Sequence, residues 1–71
     1  MKLTADGVRK RIAGIRSQFD SHGDDARSHM DADKLYEDVL MAIEAGMCDD
    51  PAACAGAVLE VRAIPFQRYY E

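Results

Sequence analysis

The sequence predicts an all-α fold, a compact three-helix bundle with a short aromatic C-terminal tail packing back on it. Three observations carry this expectation. Apolar residues recur at spacings of three and four in three separate stretches. Each stretch opens on a capping residue and closes on glycine or proline. No stretch alternates in the manner of a strand. At 71 residues the chain suits one small domain, 1–71. Such a domain buries only about 60% of its unfolded surface, which leaves little room for a large enclosed cleft.

The first helix is expected over 5–22. Val8, Ile12, Ile15 and Phe19 make one apolar stripe. Thr4 suits the N-cap because its hydroxyl can accept from a first-turn amide. Leu3 and Val8 then fall at the two positions of a hydrophobic staple. Asp6 stands where the helix dipole favours an acid. Gly23 can adopt the left-handed conformation that ends a helix. The polar run 24–31 reads as a connector or an early turn, with Asp31 preferred as the next N-cap and Met30 and Leu35 as its staple.

The second helix is expected over 32–45. Leu35, Val39 and Ile43 form one row, with Tyr36, Leu40 and Met47 beside it. A stripe this wide predicts the central helix of the bundle. Gly46 is its expected terminator. Asp50 followed by Pro51 is the strongest local start signal, N-cap then N1, where proline's missing N–H costs nothing. That third helix is expected over 51–63. Cys54, Val58 and Val61 share a face, and Ala52, Ala53, Ala55 and Gly56 are small enough for another backbone to approach. Pro65 biases Ile64 to an extended conformation. In the tail, 64–71, Ile64 and Phe66 are expected to cover an open end of the core.

Composition narrows function. The chain is 48% hydrophobic and 31% charged, too apolar for a disordered segment. No apolar run is long enough to span a membrane. The opening MKLTADGVRKR lacks the apolar segment of a secretory signal, so the expected location is the cytoplasm. Net charge is −4, split between +4 over residues 1–18 and −8 over 19–71. The basic first segment is therefore expected to pack on the acidic remainder, or on a second copy. The acidic majority argues against nucleic acid as a partner.

Candidate chemistry is sparse. Cys48 and Cys54 with His22 and His29 make a nominal zinc set, but the spacings lie outside the usual ones, so no metal or cofactor is expected. A Cys48–Cys54 disulfide is geometrically conceivable but disfavoured in a reducing compartment. Cys54 in a first helical turn raises a reactive thiol, against which its expected burial weighs. His29 and Asp33, four apart, can orient a general base, but no nucleophile stands at a matching spacing, so no catalytic residue is assigned. Arg16 is expected to reach an acid of the second helix. Arg9, Lys10, Arg11 and Arg16 raise nucleic-acid binding, yet the third helix, placed as a reading helix, offers no Arg or Lys before Arg62. Phe66, Arg68, Tyr69 and Tyr70 are the candidate partner contacts, since tyrosine and arginine dominate interface hot spots.

The motifs VRKRIAGIR, SHMDADKLYEDVLMAI, DDPAACAGAVLEV and IPFQRYYE together resemble small uncharacterised helical proteins of bacterial phages and prophages. The centre matches at His29, Asp33, Leu35, Tyr36, Asp38, Val39 and Leu40, and departs at Ser28 and Ala32. The ending matches at Phe66, Arg68 and Tyr70, with Pro65 in place of an acid. The resemblance implies a compact helical fold and a phage or prophage origin, brings no activity, and raises interest in Arg68 and in His29, Asp33 and Tyr36, which with Arg16 form a candidate polar site. The expected function is a non-enzymatic module that binds a protein partner, either another protein or a second copy as a homodimer. The alternatives are a nucleic-acid-associated regulator using the first helix and, last, an enzyme using His29 and Asp33.

Overall fold

A computed structural model of the chain describes residues 2–66. Helix α1 spans Ala5–His22. Thr4 caps it, its hydroxyl accepting from the Gly7 N–H at 3.0 Å. Gly23 ends it at φ 62°, donating to the Phe19 carbonyl, the single-bond form of the left-handed helix stop. Val8, Ile12 and Ile15 are its buried face.

Helix α2 spans Asp25–Glu44, which corrects the expected start at 32. Asp24 is the N-cap, accepting from the Arg27 N–H at 3.0 Å, and Asp31 lies inside the helix. The physical reason is the small buried pair Ser28 and Ala32, which continue the row of Leu35 and Val39 but do not read as apolar in a hydropathy pattern. An Arg27–Asp31 ion pair and a His29–Asp33 contact, each at 3.2 Å, brace the same turns. Met30 is 69% exposed and makes no staple. With α2 starting this early, only Gly23 and Asp24 separate it from α1, and the chain reverses there. Arg11 of α1 accordingly meets Asp38 of α2 at 2.8 Å.

Gly46, at φ 69°, closes α2 with two bonds. Its N–H donates to the Ile43 carbonyl at 3.1 Å, and the Met47 N–H to the Ala42 carbonyl at 2.8 Å, the pairing of a Schellman stop. The N-terminal segment then ties to this turn. Leu3 donates to the Met47 carbonyl at 2.6 Å and accepts from the Asp49 N–H at 3.1 Å. This lone parallel bridge between Leu3 and Cys48 is non-local and has no sequence signature.

Helix α3 spans Pro51–Leu59, capped by the Asp50 carboxylate on the Ala53 N–H. It is shorter than expected, because Glu60–Ala63 tighten into a 3-10 turn. Ile64, preceding Pro65, is extended at φ −77°, ψ 122°, and its N–H returns to the Val61 carbonyl at 3.1 Å. A chain that must leave the helix before proline closes its last turn with i→i+3 bonds.

The described residues are all-α, with no strand. Val8, Leu35, Val39, Cys54, Val61 and Ile64 are at the centre of the core. Phe66 is buried and meets Phe19 edge-on, ring centroids 6.2 Å apart. The radius of gyration is 12.1 Å, near the roughly 11 Å of a folded chain of this length. Asp50→Ala is expected to lower stability by about 1 kcal/mol, read as an earlier urea midpoint with unchanged slope. An unchanged midpoint would show that Pro51 alone starts α3.

Candidate functional site

The four residues of the candidate polar site divide between two flanks. His29 and Asp33 meet at 3.2 Å on α2, the histidine largely buried and the aspartate exposed. Tyr36, one turn on, lines a depression between α2 and α3. Arg16 stands elsewhere, sharing a depression with Arg9, Ile12, Glu60 and Ala63. Arg9 and Arg16 are seven apart and share a face of α1, whereas Arg11 looks toward α2. Arg16 therefore faces the 3-10 turn and not α2, which corrects its expected ion pair.

Two arginines of the basic first helix are engaged within the chain. Arg9 meets Glu60 with Nη2–Oε2 at 3.0 Å and Nε–Oε2 at 3.2 Å, and this raises the guanidinium's affinity for its proton. Arg11 and Lys34 both hold Asp38, at 2.8 and 2.9 Å. The charge asymmetry of the sequence thus serves the docking of α1 on the rest of the chain. It leaves fewer free cations for phosphates.

Hydrogen bonds from Lys34 and Arg11 hold the Asp38 carboxyl below its ordinary value. A carboxylate depressed in the folded state stabilises the fold at pH values above its unfolded pKa. That contribution is lost as pH falls through the folded value. The stability difference between wild type and Asp38→Asn is therefore expected to be constant near neutrality and to shrink below about pH 4. Urea midpoints at several pH values read it; a gap that persists unchanged into acid would contradict the linkage.

Cys48 and Cys54 are free thiols, and both are buried. Cys54 is wholly inaccessible, with Sγ 3.7 Å from the Leu3 carbonyl. Burial first, then the neighbouring Cys48 thiol, pushes its pKa up. It stays protonated and packs as a core residue, opposite to a helix-terminus thiolate. Among the described residues, no three His, Cys, Asp or Glu side chains gather as metal ligands would.

Of the expected partner contacts, Phe66 is 4% exposed. Its ring is a core element and not a surface contact, which corrects that assignment. Arg68, Tyr69 and Tyr70 lie outside the described residues.

The surface feature that sequence reasoning missed is apolar. Among the described residues, the exposed large hydrophobics are Met30, Leu40, Met41, Met47 and Leu59. All five lie on α2, the turn after it or α3, and none on α1. Leu40 and Leu59, 67% and 52% exposed, form opposite walls of a groove between α2 and α3. Tyr36 and Ile43 continue one wall, and Val39, Ala55 and Val58 complete the lining. The groove holds about 200 Å³, below the roughly 300–1,000 Å³ of small-molecule sites. That volume suits side chains of another protein better than a substrate. A sequence signal did exist in the excess width of the α2 stripe. Only its Ser28–Ala32–Leu35–Val39 half is buried, so width marked an uncovered face and not a central helix. The second signal is that α3 carries no charged residue, although Pro51, Ala52, Gly56 and Leu59 are exposed.

No family model, curated protein or solved structure matches the chain. No helix among the described residues is long and apolar enough to cross a membrane.

Proposed function

We propose that this chain is a non-enzymatic protein–protein interaction module, built as an antiparallel three-helix bundle, whose partner docks across the groove between α2 and α3. The observation that carries the reading is the one-sided distribution of exposed large apolar side chains. Scattered leucines on a surface are ordinary, but five exposed large apolar side chains gathered on α2, the turn after it and α3 support an interaction face. Methionine supports it too, because its flexible thioether adapts to a partner's shape. A phage or prophage origin and a cytoplasmic location complete the proposal. Arg68, Tyr69 and Tyr70, outside the described residues, are proposed as further partner contacts.

Affinity capture from nuclease-treated lysate tests the reading, with the full chain as bait beside Leu40→Glu/Leu59→Glu and Tyr69→Ala/Tyr70→Ala variants. A protein held by the wild type and released by the Leu40/Leu59 variant is the expected result. Equal retention by that variant would remove the groove from the account. A catch that vanishes with nuclease would instead favour a nucleic-acid-associated regulator using α1.

A further inference from the structure

We infer that the groove between α2 and α3 receives an amphipathic helix of another protein, with lysine or arginine flanking its apolar stripe. This rests on the docking reading above and adds the chemistry of the occupant.

The register of α2 supplies the argument. Tyr36, Leu40 and Ile43 recur at spacings of four and three, so they form one row along the groove. Asp33, Glu37 and Glu44 fall on the adjoining row, farther from the core, and all three are exposed. Beyond them come Met30 and Met41, again exposed. The acids are therefore set within the apolar face and border the groove along its length. Across the groove α3 offers no charge to balance them. Asp49 and Asp50, both exposed, add acids at the N-terminal end of α3. The nearest lysine of α2 answers an acid of its own: Lys34 is held by Asp38 at 2.9 Å. Arg62, past the end of α3, is exposed and stands at one extremity only.

A partner that buries Leu40 and Leu59 also brings its flanks against these carboxylates. Basic flanks are attracted and acidic flanks repelled, and like charges across an interface are costly. The same point disfavours a second copy. A two-fold contact pairs this patch with a copy of itself, which offers Glu37 and Glu44 again and no charged residue of α3 to answer them. A groove between two helices, with Tyr36, Leu40 and Ile43 along one wall and Leu59 on the other, is the form that receives a helix presenting residues at i, i+3, i+4 and i+7.

The test titrates two synthetic helical peptides into the isotopically labelled full chain and follows amide shifts by NMR. Both carry leucine at i, i+3, i+4 and i+7; one has lysine at the remaining positions and the other glutamate. The leucine–lysine peptide is expected to shift Tyr36, Leu40, Ile43, Ala55 and Leu59, and to bind about tenfold or more tightly than the leucine–glutamate peptide. Glu37→Lys/Glu44→Lys is expected to reverse that preference, which a merely adhesive surface would not do. Leu40→Glu is expected to weaken the leucine–lysine peptide about tenfold. Equal binding of both peptides at the groove overturns the basic partner and leaves the docking reading standing. Shifts confined to residues outside the groove, or absent with both peptides, overturn both. Groove shifts that depend on protein concentration without peptide identify a second copy as the occupant and overturn the inference.

Discussion

Leu35→Ala is expected to leave much of the chain unfolded at room temperature, while Leu40→Ala leaves stability almost unchanged. The two leucines stand on one helix, five positions apart. Leu35 is fully buried and Leu40 is 67% exposed. Truncating a buried leucine costs about 2–5 kcal/mol, the transfer of its methyl groups plus the cavity left behind. A single core of this size holds roughly 3–5 kcal/mol in all, so the loss approaches the whole. An exposed site with few neighbours changes by about 0.5 kcal/mol or less. Thermal melts by circular dichroism separate the two outcomes. Equal melts would mean that α2 does not pack by its Ser28–Ala32–Leu35–Val39 row.

Leu40→Glu with Leu59→Glu is expected to abolish partner binding and to leave the fold intact. Glutamate is a good helix former, and both side chains already reach solvent, so folding tolerates the exchange. Binding does not, because each glutamate places a charge where the partner's apolar side chain would exclude water, without a counter-charge. Leu40 also stands beside a row that is acidic already. An affinity loss of about tenfold or more, measured against an unchanged urea midpoint, separates a lost contact from a lost fold. Loss of both affinity and midpoint would instead make these leucines structural.

Helix ends were legible in the sequence wherever a single residue type meets a single backbone need. Thr4, Gly23, Gly46 and Asp50 with Pro51 all stand where their side chains or conformational freedom place them. The start of α2 was not legible, because its first turns bury Ser28 and Ala32, small residues that pattern reading counts as polar or neutral. The end of α3 was half legible. Pro65 announced a stop, but whether the last turn stays α-helical depends on how Ile64 leaves it. The Leu3–Cys48 bridge joins segments far apart in sequence, which no local signal reports. The candidate site was obscured by a reasonable inference with the wrong sign. A wide apolar stripe on α2 read as the mark of a central helix. Three helices of this length cannot cover both faces of α2, so part of the stripe is surface.

The most direct test of the groove as the docking face is site-specific photo-crosslinking in the cell that expresses the chain. A photoreactive phenylalanine analogue replaces Leu40 in one version and Ser17, exposed on α1, in another. The account predicts one crosslinked protein adduct from position 40 and none of that mass from position 17. The same adduct from both positions, or from position 17 alone, would contradict it.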